Sequence, residues 1–537
     1  MFVTGILALL LTGVDQAQEA LELPPMGINV HYPSYYDNIS YFTEATRHGS
    51  HWLSFTPESG DWSDERIIPQ TVDGYPAQLA PDQGARMIIY LESTAAPAGD
   101  YTLTWAGDGT LRIVHDFAPL GTFSTADAPR QTVTIPERDM THLFIEILAT
   151  NPTDPVRDIR LWLPGFDENS PERFNPILLE RLAPFEPIRL IDWGVINAST
   201  IRTWGQRAQE KWYTWAAEGT DFYQGVPFEV QVELGNVLGK DIWINVPHAV
   251  DDDFVRQLAT LVRDQLDPSL RVWVEYTNEA WNPAFTQNYF IYEQSLAIVE
   301  AENVDEYYLY HHYGRRTADV LAIFEEVFAG QTERVIGVLA GQSGWAYPGE
   351  AALAEVARLG MMDLVDVYAI APYVPNSAED GVYNVDAVLA EMDLNALTDA
   401  DYARIFEEFN RGVEAVFTGD GEYAVEMRGN RALAEQYGLP LITYEAGQHL
   451  TGYNLENFTV NQDLPLVYGQ INARPEMYDS YIRYLDLWRE FGGETMVMFH
   501  LAGIWSEVEA FGHLNAIDQP IEEAHKYRAL VDWLAAQ

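Results

Sequence analysis

Eight short apolar segments are spaced along the chain, and most are followed by a stretch with apolar residues at helical spacing. The segments resemble strands that are buried on both faces of a parallel sheet. They cover residues 26–32, 188–192, 241–247, 272–276, 334–340, 364–372, 439–447 and 494–501. Eight strands that alternate with helices predict an α/β fold of the (β/α)8 TIM-barrel type. The C-terminal ends of these strands are then the expected place for ligands and catalytic groups.

The chain between the first two segments follows a different pattern. From about residue 73 to residue 166 there is no helical periodicity, and short strand-like runs alternate with turns. In one run Tyr101, Leu103 and Trp105 alternate with threonines, and the following Ala-Gly-Asp-Gly turn predicts a hairpin. The pattern indicates an antiparallel β-sandwich inserted at 73–166, with the barrel beginning at 21–72 and continuing over 167–537. Such an insert could bind carbohydrate or brace the barrel, and bracing is the simpler interpretation.

Residues 1–20 resemble a signal or leader segment only in part. Phe2–Leu11 form an apolar run that is too short to span a membrane. The positive residues that precede such a run in secretory signals are missing, and no good small-residue cleavage site follows. We expect a secreted or cell-envelope protein, and no other segment has the apolar length of a transmembrane helix.

The charge of the chain is strongly acidic. There are 81 Asp and Glu residues against 31 Lys and Arg residues, which gives a formal net charge of −50. Such a surface repels nucleic acid and anionic membranes. Adaptation to high salt explains this excess of acidic residues, because salt screens the repulsion between them. The alternative is an ordinary acidic secreted protein. The chain has no cysteine, which excludes disulfides, thiolate metal sites and a cysteine nucleophile.

Two of the predicted barrel strands lead into a glutamate. Segment 272–276 is followed by Thr277-Asn278-Glu279, and segment 439–447 contains Glu445 near its C-terminal end. Retaining glycosidases need two carboxyls about 5–5.5 Å apart, one as acid/base and one as nucleophile. Either glutamate alone could be a salt-bridged strand end, but the pair on suitable strands favours catalysis.

These residues resemble the pattern of glycoside hydrolase clan A, and in particular family 5. In that clan Asn-Glu ends the fourth barrel strand and Glu ends the seventh, and here those residues are Asn278-Glu279 and Glu445. The resemblance covers the whole barrel apart from the insert. It implies that Glu279 is the acid/base, that Glu445 is the nucleophile and that Asn278 donates a hydrogen bond to the sugar 2-hydroxyl. It implies no cofactor and no metal.

Further positions match the clan less specifically. His248 follows the third strand as a frequent substrate-binding histidine does, although it could equally support the start of the next helix at residues 251–253. Tyr373, at the end of the sixth strand, matches a tyrosine that orients the nucleophile. Trp505, after the eighth strand, matches the tryptophan floor of the sugar subsite. Trp281 and Tyr276 are candidates for subsite walls.

The second predicted strand departs from the clan pattern. Arg189 lies at the beginning of segment 188–192, so we expect its side chain to face the opposite end of the barrel from the site. Arg202, in the following loop, is the other arginine that could reach the site.

Together the patterns predict an O-glycosyl hydrolase that cleaves a β-linked polysaccharide or oligosaccharide by double displacement. A non-catalytic carbohydrate-binding protein on the same barrel is the first alternative. The second is a structural surface protein that assembles through the insert. The predicted partner is a carbohydrate and not a nucleic acid. The residues specify neither the sugar and its linkage, nor internal or terminal cleavage, nor the oligomeric state.

Overall fold

The computed structural model describes residues 21–57, 59, 61–93, 95–217, 224–302, 310–454, 459–460, 467–506 and 510–537. The predicted leader at 1–20 lies outside the described residues. Within them, eight parallel strands form one sheet, so the predicted barrel is confirmed. In chain order the barrel strands are Met26–Asn29, Ile188–Arg189, Ile242–Val246, Val272–Tyr276, Val335–Ala340, Val367–Ile370, Leu441–Thr443 and Met496–Met498.

The sheet curves until its seventh and eighth strands meet. From the first to the seventh, the barrel strands pair in parallel in chain order, and the first strand also pairs with the eighth. Between strands seven and eight, Thr443 N–H donates to the Thr495 carbonyl at 3.0 Å and Glu494 N–H donates to the Leu441 carbonyl at 2.8 Å. These bonds bring the strand-end loops into one ring, which is where the site residues collect.

Helices cover the outside of the barrel. The helix Asp252–Gln265 shows how the sequence forms them: the Asp251 side chain caps its N-terminus by accepting from Phe254 N–H at 2.8 Å, and acidic residues occupy its first turn. Its buried face consists of Phe254, Leu258 and other apolar residues at helical spacing, as predicted. The α-helices are Pro176–Leu182, Phe228–Leu238, Asp252–Gln265, Thr286–Glu302, His311–Val327, Tyr347–Leu359, Val385–Leu389, Asp399–Phe417, Glu422–Tyr437, Val467–Asn472, Glu476–Phe491 and His525–Ala535. Among the described residues, none of the helices combines the length and the apolar character needed to cross a membrane.

The insert is an antiparallel β-sandwich of two sheets. The five-stranded sheet has the order Leu53–Phe55, Gly84–Ser93, Met140–Thr150, Gly109–His115, Ala118–Ser124. The three-stranded sheet has the order Arg130–Ile135, Gly99–Ala106, Arg157–Trp162. Because Leu53–Phe55 pairs with Gly84–Ser93, the five-stranded sheet begins ahead of residue 73.

The predicted hairpin around residues 106–109 is wrong. Gly99–Ala106 pairs with Arg130–Ile135 and Arg157–Trp162, whereas Gly109–His115 belongs to the other sheet. The turn therefore carries the chain from one sheet to the other. The alternation of Tyr101 and Leu103 with threonines shows only that one face of this strand is buried. A strand that packs against a facing sheet has the same pattern as a strand of a hairpin, so the pattern does not identify the pairing partner.

Ion pairs connect the sandwich to the barrel loops. Arg160 of the sandwich contacts the Glu44 carboxylate at 2.8 Å, and Arg47 contacts the same carboxylate at 3.2 Å. Arg138 pairs with Asp518, close to the end of the chain, at 2.6 Å. These contacts agree with the interpretation of the insert as a brace.

Candidate active site

The side chain of Arg189 lies at the centre of the barrel mouth. It is fully buried, and its guanidinium donates to the Glu445 Oε1 atom at 2.8 Å and to Glu275 Oε2 at 2.9 and 3.1 Å. It also donates to Asn29 Oδ1 at 2.9 Å and to Asn278 Oδ1 at 2.8 Å. These bonds use all five N–H donors of the group. One rigid cation therefore sets the positions of four side chains from three barrel strands or their ends.

The placement of Arg189 corrects the sequence-based expectation. The predicted strand 188–192 is only two residues long in the structure, Ile188–Arg189, because the chain turns at residues 191–195. Arg189 is consequently the last residue of its strand and not an early one, and it faces the site. Arg202 is exposed in the following loop.

Glu275 balances the charge of Arg189 inside the barrel. It lies in the fourth strand, is fully buried and also accepts from Trp243 Nε1 at 2.9 Å and Asn245 Nδ2 at 2.8 Å. Burial raises the pKa of Glu275, and the positive charge of Arg189 opposes that effect. The sequence assigned no role to Glu275, because it lies within the strand Val272–Tyr276 and not at the strand end where site residues were expected.

Glu445 is held by two donors. Arg189 binds one carboxylate oxygen, and the Tyr373 hydroxyl donates to the other at 3.0 Å. Burial raises the pKa of Glu445, the charge of Arg189 lowers it and the charge of Glu279 raises it again, which leaves it at about 8. Burial and the charges of the two glutamates raise the pKa of Tyr373 well above its ordinary value, so its hydroxyl remains a donor.

Glu279 lies on an unusual loop directly after the fourth strand. Its φ angle is +39° and that of Thr277 is +47°, in the left-handed region that non-glycine residues rarely adopt. Asn282 Nδ2 donates to Glu279 Oε2 at 2.7 Å, and the Tyr444 hydroxyl donates to Glu279 Oε1 at 3.1 Å. Since Tyr444 precedes Glu445 in the chain, one short segment supports both glutamates. Local backbone strain of this kind concentrates at functional sites.

Asn278 is fixed between two partners. Its Oδ1 atom accepts from Arg189, and its Nδ2 atom donates to Asn197 Oδ1 at 3.1 Å. Gln287 supports this arrangement by donating to Asn197 Oδ1 at 2.8 Å and to the Asn278 carbonyl at 3.0 Å. The amide therefore has a defined orientation next to both glutamates.

A partly buried histidine with two acidic partners lies just after the first strand. His31 Nδ1 is 3.1 Å from Asp192 Oδ2, His31 Nε2 is 3.4 Å from Asp37 Oδ2, and the ring stacks on His500 at 4.3 Å. Burial lowers the pKa of His31, but the bonds and charges of Asp192 and Asp37 outweigh burial and raise it to about 10. The charge of Asp192 acts on Glu445 as well, so this cluster belongs to the surroundings of the site.

A cleft of about 1360 Å³ opens beside Glu279. Its lining includes Trp281, Tyr373, Tyr444 and Trp345, and it extends along the loops that follow barrel strands five and six. Trp345 is 44% exposed, so its ring is available to a ligand. Sequence reasoning missed Trp345, although an aromatic residue shortly after the fifth strand was a signal that could have found it.

Three further predicted residues lie in different surroundings. Tyr276 is 1% exposed and its hydroxyl donates to the His248 carbonyl at 2.7 Å, so it lies behind the site and offers no ring face to a sugar. His248 is buried beside Phe290, and burial lowers its pKa to about 4. Trp505 is buried as well and donates to the Gly512 carbonyl at 2.7 Å. The roles of His248 and Trp505 in binding a sugar stay predictions.

The fold and the site together define a class. A (β/α)8 barrel with Asn-Glu after its fourth strand and a glutamate after its seventh is the arrangement of clan A glycoside hydrolases, and the chain resembles that clan. No family model and no curated protein matches the sequence.

Three of the solved structures that match the chain are glycosidases. The β-glucuronidase of Bacteroides uniformis matches over 90% of this chain and 50% of its own, with 10% identity and a TM-score of 0.32, so the chain spans about half the length of that enzyme. The endo-1,4-β-D-mannanase of Thermotoga petrophila matches over 67% of this chain and 94% of its own, with 12% identity and a TM-score of 0.32. The broad-specificity endoglucanase of Clostridium longisporum matches over 67% of this chain and 85% of its own, with 11% identity and a TM-score of 0.32.

Proposed function

We propose that the protein is a retaining glycoside hydrolase that cleaves a β-linked polysaccharide or oligosaccharide. The observation that carries the proposal is that two glutamates at the barrel mouth are each held by their own donors. Glu445 is bonded to Arg189 and Tyr373, while Glu279 is bonded to Tyr444 and Asn282. A glutamate that served only in a salt bridge would not need further donors such as Tyr373, Tyr444 and Asn282. A reacting carboxylate, in contrast, must be kept in one orientation.

In the first step Glu279 donates its proton to the glycosidic oxygen while Glu445 attacks the anomeric carbon. The bond to the leaving group breaks, and a glycosyl ester forms on Glu445. In the second step Glu279 takes a proton from water, which attacks the same carbon and releases Glu445 as a carboxylate. Arg189 and Tyr373 stabilise the carboxylate form of Glu445 before and after the ester exists.

The cleft supports a substrate with several sugar units. It extends from Glu279, the acid/base, so it lies on the side where the leaving group departs. Trp281 and Trp345 provide aromatic faces there, and sugar rings stack on such faces. A polymer or oligosaccharide occupies this volume better than a small aglycone does.

The decisive experiment is hydrolysis of β-glucans, mannans, xylans and aryl β-glycosides by wild type, Glu279→Gln and Glu445→Gln. We expect a loss of about 10²–10⁴-fold or more for each variant, because each removes one half of the acid/base and nucleophile pair. Glu379→Gln is the matched control, since Glu379 is an exposed carboxylate in the same cleft. NMR of the product released first should show retention of the β-configuration.

Other outcomes separate the alternatives. Activity that survives Glu445→Gln would exclude Glu445 as the nucleophile. A wild type that binds one polysaccharide but hydrolyses nothing would support the carbohydrate-binding alternative.

We also propose export of the protein to the cell envelope or beyond, which rests on the apolar run Phe2–Leu11. Fractionation of cells that produce the full chain tests this proposal. Recovery of the enzyme only in the cytoplasm would contradict it.

A further inference from the structure

One end of the β-sandwich carries three potential metal ligands. Single ligand atoms of His115, Asp116 and Glu137 all lie within 4.8 Å of one another. His115 ends a strand of the five-stranded sheet and Asp116 lies in the turn that follows. Glu137 follows the strand Arg130–Ile135 of the three-stranded sheet. The cluster therefore combines residues from both sheets.

The ring of His115 supplies an independent observation. The residue is 5% exposed, and its Nε2 atom is buried without a hydrogen-bond partner. Asp116 Oδ2 lies 3.9 Å from this nitrogen, which is too far for a hydrogen bond. A buried polar nitrogen with no partner costs free energy, and an ion between this nitrogen and the carboxylate would satisfy it.

The Asp116 carboxylate is already oriented for such a contact. Its Oδ1 atom accepts from the backbone N–H groups of Thr141 at 2.9 Å and His142 at 3.0 Å. The other oxygen, Oδ2, is the one that faces His115. Hydrogen bonds that fix one oxygen and leave the second to bind are typical of carboxylates that hold metals.

The loop that carries Glu137 is anchored as well. Its next residue, Arg138, pairs with Asp518 at 2.6 Å. Glu137 itself is exposed, so its carboxylate can turn toward an ion without leaving a buried position. The three groups thus need only small side-chain shifts to reach a common centre, since ligand bonds to zinc are about 2.0–2.2 Å long.

We propose that His115, Asp116 and Glu137 form a structural site for a divalent transition-metal ion, best matched by Zn²⁺, that clamps the two sheets of the sandwich. One imidazole and two carboxylates are a ligand set that zinc accepts, with water in the fourth position. Calcium prefers a set made only of oxygens, so the histidine favours the transition metal. The site lies outside the barrel mouth and is independent of the proposed hydrolase activity.

Calorimetric titration of Zn²⁺ into chelator-treated full-length protein tests the proposal. We expect one equivalent to bind to wild type, with at least tenfold weaker binding in His115→Gln and in Glu137→Gln. Asp139→Asn is the matched control, because it removes the same charge from the same exposed loop outside the cluster. Glu137→Gln keeps the test valid if His115→Gln does not fold, since Glu137 is exposed.

Binding of Co²⁺ gives a second measurement. Visible absorption with the intensity of a four-coordinate ion should appear in wild type and in Asp139→Asn but not in His115→Gln. The chain has no cysteine, so thiolate ligation cannot produce this signal. Equal Zn²⁺ affinity in all four proteins, no binding to wild type, or displacement of Zn²⁺ by equimolar Ca²⁺ would each overturn the assignment.

Discussion

The guanidinium of Arg189 donates a 2.8 Å hydrogen bond to the carboxylate of Glu445, and the two residues are 256 positions apart in the chain. The same group binds Glu275, so one cation lies between two buried carboxylates. This arrangement links the stability of the barrel to the chemistry of the proposed site, because a change at Arg189 affects both.

Replacing Arg189 with Lys should impair stability and activity together. Lysine keeps the charge but cannot reproduce five donors in a planar fork, so Glu275 and Glu445 lose hydrogen bonds inside the barrel. We expect a loss of about 3–5 kcal/mol in the free energy of unfolding and a decrease in kcat of roughly 10²-fold or more. Urea denaturation and hydrolysis assays measure the two effects.

Arg334→Lys is the matched control for that variant. Arg334 is 5% exposed and donates to the backbone carbonyls of Leu266 and Leu270, away from the glutamates. We expect it to lower stability while kcat of the remaining folded enzyme stays unchanged. An equal decrease in kcat for both variants would mean that Arg189 acts only through folding.

The activity should decrease on the acidic side at an unusually high pH. Attack requires ionised Glu445, whose pKa of about 8 is above the ordinary value of a glutamate. Activity is therefore lost as the pH falls through that pKa. Tyr373→Phe removes a donor to the ionised form, so its acidic limb should move to still higher pH. The pH dependence of kcat/KM in wild type and in Tyr373→Phe measures the two acidic limbs. An acidic limb near pH 4 in wild type would contradict the raised pKa of Glu445.

His31 should make a pH-dependent contribution to stability. Its pKa in the folded protein, about 10, is above the ordinary value of 6.5 because of Asp192 and Asp37. The stabilisation is therefore fully present below about pH 6.5 and is lost as the pH rises toward 10. We expect His31→Gln to be less stable than wild type by roughly 2–5 kcal/mol at pH 6, with a much smaller difference at pH 10.

Urea denaturation at pH 6, 8 and 10 measures that difference. His525→Gln serves as the control, because burial lowers the pKa of His525 instead of raising it. A difference for His31→Gln that stays constant from pH 6 to pH 10 would show that His31 is neutral in the folded protein.

Trp345 should contribute to binding of long substrates. Its ring is 44% exposed in the cleft, beyond Glu279. We expect Trp345→Ala to raise KM for a polysaccharide about tenfold, the equivalent of about 1.4 kcal/mol, while kcat for an aryl glycoside is unchanged. Trp62→Ala is the control, since Trp62 is 40% exposed beside the sandwich. An equal rise in KM for both variants would place the effect outside the cleft.

Salt should stabilise the fold. With a formal net charge of −50, self-repulsion opposes the compact state, and counterions screen it. We expect Tm to rise by several degrees or more between about 0.05 and 1 M NaCl, with most of the gain at the lower concentrations, where the Debye length changes most. Scanning calorimetry measures the shift, and a Tm that does not change with salt would contradict adaptation to saline conditions.

Much of the barrel and its two glutamates could be predicted because the evidence for them is local. An apolar run of the length of Val272–Tyr276, followed by Thr277-Asn278-Glu279, predicts both a buried strand and the polar end that carries the proposed site. The sequence similarly indicated Tyr373, whose hydroxyl contacts Glu445.

Other features depend on contacts that no local pattern records. Tyr276 was a candidate for a subsite wall, but it lies behind the site. The turn after Ala106 joins two sheets instead of two strands of one hairpin. The His115 cluster was equally invisible, because Glu137 approaches it from the other sheet.

The sequence by itself determined that the chain alternates strands and helices and that two strands lead into Glu279 and Glu445, because hydrophobic periodicity follows from burial of one segment at a time. Only the tertiary structure decided which residues stand between those glutamates. The length of the second strand places Arg189 at the strand end, and its four partner residues come from three other strands or their ends. Such a network exists only once the sheet has closed, since closure is what brings those strand ends within hydrogen-bonding distance.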